Sequence, residues 1–424
     1  MTILPLKEVC CRIVDCPHET PEWRENGVPV IRNYNLVDGH IDTSNLSYVD
    51  DETYERRVRR EIPKKDDVIF SREAPIGNCG IIPDGFKCCL GQRLVLLRVN
   101  QKICTPSYLI TVLQSDFVKQ QIEQVSKRGS IVSNFAIEDL KELLIPVIDN
   151  QEDVASLYTL LSDKISNNNS ICADLEGMAK LLYDYWFVQF DFPDENGKPY
   201  KSSGGKMVWN EELKREIPDG WEVKRLGTLI DHNRGISYTG KSFSKDGTPI
   251  ISLASIDRCG RYIPDGIKYY NQEYAHSKVV KPFDLVMANT DMTQERAVMG
   301  KIIFVPDIFD GDILTTHHIT QIHTDELLKA YLMMTTQTDW FHNYIKGFSS
   351  GTNVLGMDMI GFEDYLLIIP EKTILRRFNE VIYGIYNRIF SNIRENQELA
   401  SLRDFLLPML MNGQVKVKKE DANE

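Results

Sequence analysis

The chain has 424 residues, 42% of them hydrophobic and 26% charged, which allows two or three globular domains and excludes a largely disordered chain. No apolar run approaches the roughly 18 residues that cross a bilayer, and the first residues lack the pattern of a signal peptide, so we expect a cytoplasmic protein without a membrane span. The net charge of −12 counts against nucleic-acid binding by a uniformly basic surface, because phosphate contacts come mostly from Lys and Arg.

A basic cluster near the N-terminus departs from this acidic average. Residues 54–65 contain Arg56, Arg57, Arg59 and Arg60, followed by two lysines. A cluster of this kind can bind phosphate, but a solvated charged face explains it equally well when it is considered alone. We keep the four arginines as candidate DNA contacts.

The two halves of the chain repeat each other. Short β-like runs broken by Gly, Pro, Asn and Asp alternate with helical stretches at 107–125 and 326–345, which predicts an α+β fold in each half. Five short matches recur in the same order about 220 residues apart, so the repeating unit is a whole domain with a helix. The matched positions are 27–31 with 247–251, 67–70 with 284–287, Gly77 with Gly300, Gly129–Ser130 with Gly351–Thr352, and Pro146 with Pro370.

A long segment with few Gly or Pro residues follows each of the two matched prolines, and each segment carries heptad spacing. Apolar residues at a and d positions recur for about four heptads, as a coiled coil requires, and each seam has polar residues near its middle. If the helices pair antiparallel, these polar positions meet and fix the register. Two amphipathic helices on separate cores remain the alternative. The seam residues are Leu157, Leu161, Asn168, Leu175, Met178 and Tyr185 in the first helix, and Ile385, Ile389, Asn392 and Leu399 in the second.

The domain boundaries follow from these patterns and from a Pro- and Gly-rich stretch between the halves. We predict α+β domains at 1–148 and 219–371. The other predicted segments are spacer helices at 149–187 and 372–412, a linker at 188–218 and a tail at 413–424.

The segment Gly235–Ser242 fits the phosphate-binding pattern GxxxxGK[ST]. That loop functions only when it leads into a helix N-terminus. Here Gly247 and Pro249 follow within a few residues and would stop a helix. We therefore interpret the segment as a surface turn with Lys241 near a DNA phosphate, and nucleotide binding as the alternative.

Other catalytic patterns are weak. The nine cysteines include no CxxC pair, so we expect reduced thiols without a zinc site. His317 and His318 would point to opposite faces of a strand and could not share a metal, so we expect core or surface histidines. We find no motif suited to amino methylation, S-adenosylmethionine binding or nuclease chemistry. The sequence thus favours a binding protein over an enzyme.

Loops at matching places in the repeat supply the remaining candidate DNA contacts. Arginine can read guanine and asparagine can read adenine through paired hydrogen bonds, while glycine and hydroxyl side chains let the backbone approach phosphate. Ordinary surface turns explain any single loop equally well. The candidates are Ser71, Arg72, Lys127, Arg128 and Ser130 in the first half, and Asn289, Thr290, Ser349, Ser350, Thr352 and Asn353 in the second.

Four stretches resemble the DNA-specificity subunits of type I restriction–modification systems. Residues 15–36 resemble the opening of a target-recognition domain, and residues 67–82 its central strand–loop–strand. Residues 175–227 are similar to the region that joins two such domains, and residues 403–417 to the C-terminal end. Together with the repeat, the resemblance spans nearly the whole chain.

This resemblance implies two α+β target-recognition domains separated by two long helices that form an antiparallel coiled coil. Each domain would read one half of a split, asymmetric site in double-stranded DNA, and the helices would set the spacing. The family also implies two methyltransferase subunits that modify adenine with S-adenosylmethionine, and two restriction subunits that use ATP and Mg. The chain itself would bind no cofactor and perform no catalysis.

Three alternatives stay open at this point. The chain could be a nucleotide-binding enzyme that uses residues 235–242. It could be the recognition part of a fused restriction–methylation enzyme. It could also be a coiled-coil scaffold without a DNA role.

Overall fold

The computed structural model describes residues 1–37, 39–73, 75–126 and 135–417. The chain divides into two compact units: Met1–Asn167 with Asn396–Glu424, and Asn168–Glu395. We call these the first unit and the second unit. Both boundaries between the two units fall within long helices. Among the described residues, no helix is long and apolar enough to span a membrane.

The first unit combines short strands with helices. Its strands are β1 (Thr2–Pro5), β2 (Cys10–Asp15), β3 (Val28–Ile31), β4 (Leu36–Val37), β5 (His40–Ile41), β6 (Ser47–Val49), β7 (Val68–Ser71), β8 (Cys79–Ile81), β9 (Cys89–Leu90), β10 (Leu94–Val99) and β11 (Leu144–Val147). Its helices are α1 (Leu6–Val9), α2 (Asp51–Arg57), α3 (Pro106–Leu113), α4 (Asp116–Ser126), α5 (Ile137–Lys141) and the first part of α6 (Gln151–Tyr183).

An antiparallel sheet in the order β2-β10-β7-β8 lies at the centre of the first unit. Successive residues of β7 enter different cores, since side chains alternate across a strand. Val68 and Phe70 pack in the core with Tyr108 of α3, whereas Ile69 packs in a second core with Ile31. A smaller sheet, β6-β3-β9, pairs β3 with β9 in parallel.

The second unit has the same plan. Its strands are β12 (Met207–Asn210), β13 (Arg215–Pro218), β14 (Glu222–Arg225), β15 (Ile230–Arg234), β16 (Phe243–Ser244), β17 (Thr248–Ile251), β18 (Lys268–Tyr270), β19 (Leu285–Ala288), β20 (Thr290–Asp291), β21 (Ile302–Phe304), β22 (Leu314–Thr315), β23 (Ile319–Thr324), β24 (Ser349–Ser350), β25 (Leu355–Met357) and β26 (Leu366–Ile369). Its helices are α7 (Glu326–Thr336), α8 (Asp339–Lys346), α9 (Met359–Glu363) and part of α10 (Lys372–Met411).

The central sheet and the parallel strand pair are equivalent in the two units, which confirms the internal repeat. The central sheet of the second unit has the order β15-β23-β19-β21, and β17 pairs with β22 in parallel as β3 pairs with β9. The turn after the matched strands is closed in the same way: Gly77 N donates to Ser71 O at 2.9 Å, and Gly300 N donates to Ala288 O at 2.9 Å.

A glycine starts the matching strands β3 and β17 for the same steric reason. Gly27 has φ +142° and Gly247 has φ +141°. A Cβ atom would lie 2.2 Å from Val49 O at the first position and 2.4 Å from Tyr270 O at the second. Only glycine allows the partner backbone to approach this closely.

The long helices contribute to the core of each unit. In the first unit, Val154 and Tyr158 of α6 are buried in the same core as Leu407 and Leu410 of α10. The guanidinium of Arg403 also lies 5.4 Å from the Tyr158 ring centroid. The two helices thus share one core over this stretch.

In the second unit, polar residues join the remaining parts of α6 and α10. Asn168 Nδ2 donates to Glu395 Oε2 at 2.8 Å, and Asn392 Nδ2 lies 3.7 Å from Cys172 Sγ. Asn168 and Asn392 are almost completely buried. Polar seam positions are therefore enclosed here, as the heptad pattern predicts.

The predicted seam is wrong near the end of α6. Met178 and Tyr185 are 58% and 39% exposed, while their neighbours Ala179 and Trp186 are buried. A straight α-helix drifts away from a strict seven-residue repeat, and the helix continues as a π-helical turn over Asp184–Val188. The buried face has therefore moved on by one residue.

Part of the segment that we predicted as a linker is folded into the second unit. Phe190 and Phe192 are buried against Trp221, and their ring centroids lie 5.6 and 5.0 Å, respectively, from that of Trp221. Strands β12 and β13 form an antiparallel hairpin within the same segment. Turn residues in the sequence indicated a linker, but the aromatic residues between them provide a core.

Candidate nucleic-acid interface

The basic cluster of the first unit lies on and after helix α2. Asp50 caps the start of this helix by accepting from Thr53 N. Arg56 is half-exposed and forms an ion pair with Glu19 at 3.1 Å. Arg59 and Arg60 are exposed as well. These side chains are accessible to phosphate.

Arg57 lies on the opposite, buried side of α2. Its guanidinium donates two hydrogen bonds to Leu90 O, at 3.1 and 2.8 Å, and one each to Glu19 O and Pro17 O. Only 4% of the residue is exposed. The charge is used to pair backbone carbonyls within the unit, so we correct its assignment as a DNA contact.

Ser71 and Arg72 are also buried, contrary to the prediction. Ser71 donates to Glu73 O at 2.9 Å. Arg72 donates to Phe135 O at 2.7 Å and forms an ion pair with Asp15 at 3.1 Å. Their side chains hold the loop after β7 in place and are not available to read a base.

The same correction applies to Asn289 but not to its neighbour. Asn289 is 2% exposed, and its Nδ2 donates to His317 O and to Thr320 Oγ1. Thr290 is partly exposed, and its hydroxyl lies 2.9 Å from His318 Nδ1. Of these two predicted contacts, only Thr290 therefore offers an accessible polar group.

The hydroxyl-rich loop of the second unit is joined to Thr290 by a small sheet. In the order β20-β25-β24, Thr290 and Ser350 both lie opposite Gly356. Ser350, Thr352 and Asn353 are exposed, while Ser349 Oγ donates to Lys346 O. The structure thus brings these predicted residues together on one surface. Lys127, Arg128 and Ser130 of the first unit lie outside the described residues.

The segment that fits the phosphate-binding pattern has no helix behind it. Gly240–Ser242 forms one 3-10 turn, closed by Thr239 and Ser242, and strand β16 follows directly. The helix N-terminus on which a nucleotide loop depends is therefore missing at this described site. Lys241 is exposed at the turn.

The prediction that His317 and His318 point to opposite faces is wrong. They occupy the turn between β22 and β23, and their ring centroids are 3.9 Å apart. Tyr238 packs on His317 at 5.2 Å. Burial, with a smaller contribution from His317, lowers the pKa of His318, which favours the neutral ring. Among the described residues, no group of three or more His, Cys, Asp or Glu side chains could hold a metal ion.

Known proteins match this architecture along the chain. Residues 5–176 match the family described as the type I restriction modification DNA specificity domain. The type I restriction enzyme MjaIX specificity subunit of Methanocaldococcus jannaschii is 22% identical over 395 residues, covering 89% of this chain and 86% of that protein. The HindI specificity subunit of Haemophilus influenzae is 23% identical over 417 residues, covering 83% and 87%. The chain is thus similar to type I specificity subunits over most of its length.

A solved structure supports the fold of this chain. The crystal structure of a type I restriction–modification S subunit from M. genitalium covers 96% of this chain and 95% of its own, at 13% identity and a TM-score of 0.53. The resemblance predicted from four sequence stretches agrees with the family model and with the similar specificity subunits. The family match covers the first unit most directly, and the repeat extends the same domain plan to the second.

Sequence reasoning missed one polar pair on the surface of the first unit. Arg93 Nε lies 3.1 Å from Glu73 Oε2, and the Arg93 side chain is 49% exposed. Arg93 immediately precedes β10, just as His318 immediately precedes β23. An alignment of the stretch before β10 with the stretch before β23 would have paired these two positions.

Proposed function

We propose that this chain is the sequence-specific DNA-recognition subunit of a type I restriction–modification complex. Each unit recognises one half of a bipartite, asymmetric site in double-stranded DNA. The chain performs no catalysis and binds no cofactor. Partner subunits methylate adenine with S-adenosylmethionine or, with ATP and Mg, translocate and cut the DNA in the cytoplasm.

The observation that carries this proposal is the duplicated domain with different exposed side chains. Core strands, glycine turns and hydrogen bonds are equivalent between the units. The accessible polar residues at equivalent places are different, as the partly exposed Glu73 and Thr290 illustrate. Two similar frames with different accessible groups are suited to two different half-sites, since base edges are distinguished by hydrogen-bond pattern.

We further propose that α6 and α10 form an antiparallel coiled coil that sets the distance between half-sites. The contact between Arg403 and Tyr158 and the hydrogen bond between Asn168 and Glu395 support antiparallel pairing, because residue numbers rise in one helix as they fall in the other. Buried Asn168 and Asn392 would fix the register at some cost in stability.

Two exposed apolar pairs support docking of two copies of one partner. On α6, Met178 and Leu181 are 58% and 70% exposed; on α10, Leu402 and Phe405 are 45% and 65% exposed. In each unit, the exposed pair lies the same number of residues before the buried residues that end the helix. The two pairs are therefore equivalent in the repeat. Exposed apolar pairs on a helix are typical of protein contact sites. We assign them to the methyltransferase subunits.

Docking can be tested with Leu181→Asp and Phe405→Asp in the co-expressed complex. Each single variant should lose one methyltransferase copy, and the double variant both, as measured by the mass of the purified complex. Trp209→Asp is the matched control, because Trp209 is 57% exposed on the β12 strand of the hairpin. Unchanged mass in both single variants would contradict the assignment.

The function itself is tested by co-expression with the methyltransferase subunit and methylation-sensitive sequencing of host DNA. We expect methyladenine at one split motif, which disappears when this chain is deleted. A stable complex without chain-dependent methylation would refute sequence recognition and leave a scaffold. Nucleotide binding abolished by Lys241→Ala would instead support the enzyme alternative.

A further inference from the structure

The turn before β10 and the turn before β23 hold the two units' recognition loops in the same way. Arg72 N donates to Arg93 O at 2.8 Å, and Asn289 N donates to His318 O at 3.1 Å. On the other side of each loop, Phe135 N donates to Arg72 O at 3.0 Å and Met357 N donates to Asn289 O at 2.9 Å. The backbone therefore presents Arg93 and His318 at equivalent places.

This common backbone carries a different polar pair in each unit. Arg93 forms an ion pair with Glu73, with Nε and Oε2 3.1 Å apart. At the corresponding place, His318 Nδ1 lies 2.9 Å from the Thr290 hydroxyl. In each unit, the residue directly after the buried loop residue (Glu73 after Arg72, Thr290 after Asn289) contacts the side chain on the turn. The pairing geometry is retained while the chemistry is changed.

Arg93 is well placed to read guanine. Glu73 engages Nε, and within the described part of the chain neither Nη group has a hydrogen-bond partner. Those two donors fit O6 and N7 of guanine in the major groove. The backbone of Arg93 has φ +70°, a conformation that a non-glycine residue adopts at a cost and that often marks a functional site.

His318 offers a smaller and different contact. Its Nδ1 is engaged by Thr290, which leaves Nε2 as the atom that can meet a base edge. The His317 ring packs against the His318 ring at a tilt of 39°, with centroids 3.9 Å apart, and Tyr238 packs on His317 in turn. A single ring nitrogen contacts one base atom, so it cannot reproduce the two-point contact of an arginine.

We propose that the pairs Glu73–Arg93 and Thr290–His318 are specificity-determining residues that read a base edge in the first and the second half-site respectively. This inference rests on the proposed function. It assigns a guanine contact to the first unit and a single-atom contact to the second. Glu73 and Thr290 act as positioning residues that orient the partner side chain.

The test uses the purified complex with its methyltransferase subunits and selection from a DNA library randomised in both half-sites. Arg93→Ala should reduce discrimination at one guanine of one half-site by about 10-fold and leave the other half-site unchanged. His318→Ala should affect only the other half-site. Arg12→Ala is the matched control, since Arg12 is an exposed arginine of the first unit that also faces a glutamate, Glu61.

A transplant provides the sharper test. The double variant Glu73→Thr with Arg93→His places the second unit's pair on the first unit's turn, where histidine tolerates the positive φ better than most residues. We expect the guanine preference to be replaced by the preference read by His318. Glu73→Gln alone should retain the preference for guanine but weaken it, because Arg93 loses its ionic partner.

The outcomes separate this inference from the proposed function. If the wild-type complex selects a split motif and both alanine variants select the same motif equally well, the two pairs do not read bases and the inference is wrong. If the wild-type complex selects no motif, the proposed function fails first. Melting temperatures of each variant exclude unfolding as the cause, and Arg93→Lys retains the charge without the two-point contact.

Discussion

Replacing Arg57 with alanine should destabilise the first unit without acting through DNA electrostatics. The guanidinium pairs three backbone carbonyls, those of Leu90, Glu19 and Pro17. The buried Leu90 carbonyl left unpaired costs about 1–3 kcal/mol and the two part-buried carbonyls cost less each, so the loss of unfolding free energy should be about 3 kcal/mol. For a unit of this size that corresponds to a fall in melting temperature of about 6–12 °C.

Arg56 is the matched control on the same helix. It is half-exposed and pairs only with the side chain of Glu19, a surface ion pair that contributes about 0–1 kcal/mol. Arg56→Ala should therefore leave the melting temperature nearly unchanged. If Arg56 contacts phosphate, the slope of log affinity against log salt should fall by about one in the same variant.

The assays are thermal unfolding of each variant and DNA binding by the assembled complex over a range of salt concentrations. The reasoning predicts opposite profiles: Arg57→Ala loses stability, and Arg56→Ala loses salt dependence. A stable Arg57→Ala variant with a flattened salt slope would refute it, because the arginine would then have to reach phosphate from a site that is only 4% exposed.

Further predictions concern the helices and the repeat. Burial raises the pKa of Glu176 to about 7. The folded state is therefore more stable at low pH, where Glu176 is protonated, and loses that stability as the pH rises through 7. Measured by urea unfolding, Glu176→Gln should stabilise the chain by at most about 3 kcal/mol at pH 8 and little at pH 5. Asn392→Leu should raise the melting temperature, since Asn392 Oδ1 is buried without a partner, whereas its exposed neighbour Ser391→Leu should not. Seven residues inserted after Asn168 and seven before Asn392 should add about 10 Å of helix and lengthen the DNA spacer by about three base pairs, read by methylation sequencing; an unchanged spacer would contradict the ruler.

Spacing of glycines and prolines was sufficient to predict the repeat, because these residues are required by backbone geometry. Gly27 and Gly247 mark the same close approach of two strands, and Gly77 and Gly300 close the same turn. Side-chain volume and charge are free to differ around them. A repeat with few identical residues can therefore be recognised from the positions of its glycines and prolines.

The predicted DNA contacts were less accurate, because charge in a sequence does not reveal which way a side chain points. Tyr54, Arg57 and Val58 are all buried and follow the i, i+3, i+4 spacing of one helix face. That spacing was a usable signal that Arg57 belongs to the core. His317 and His318 failed for another reason: alternation applies to strands, and these residues form a turn.

The placement of the two polar pairs explains how such a subunit can change its DNA target without losing its fold. Arg93 and His318 are held by backbone hydrogen bonds, which do not depend on the identity of the side chain. Exchanging an accessible side chain usually alters stability by less than about 0.5 kcal/mol, whereas the buried loop residues Arg72 and Asn289 carry bonds whose loss costs several times more. If these pairs read bases as proposed, selection for a new half-site can act on Glu73, Arg93, Thr290 and His318 almost independently of the core. The same separation means that the two units can diverge from each other, which an asymmetric site requires.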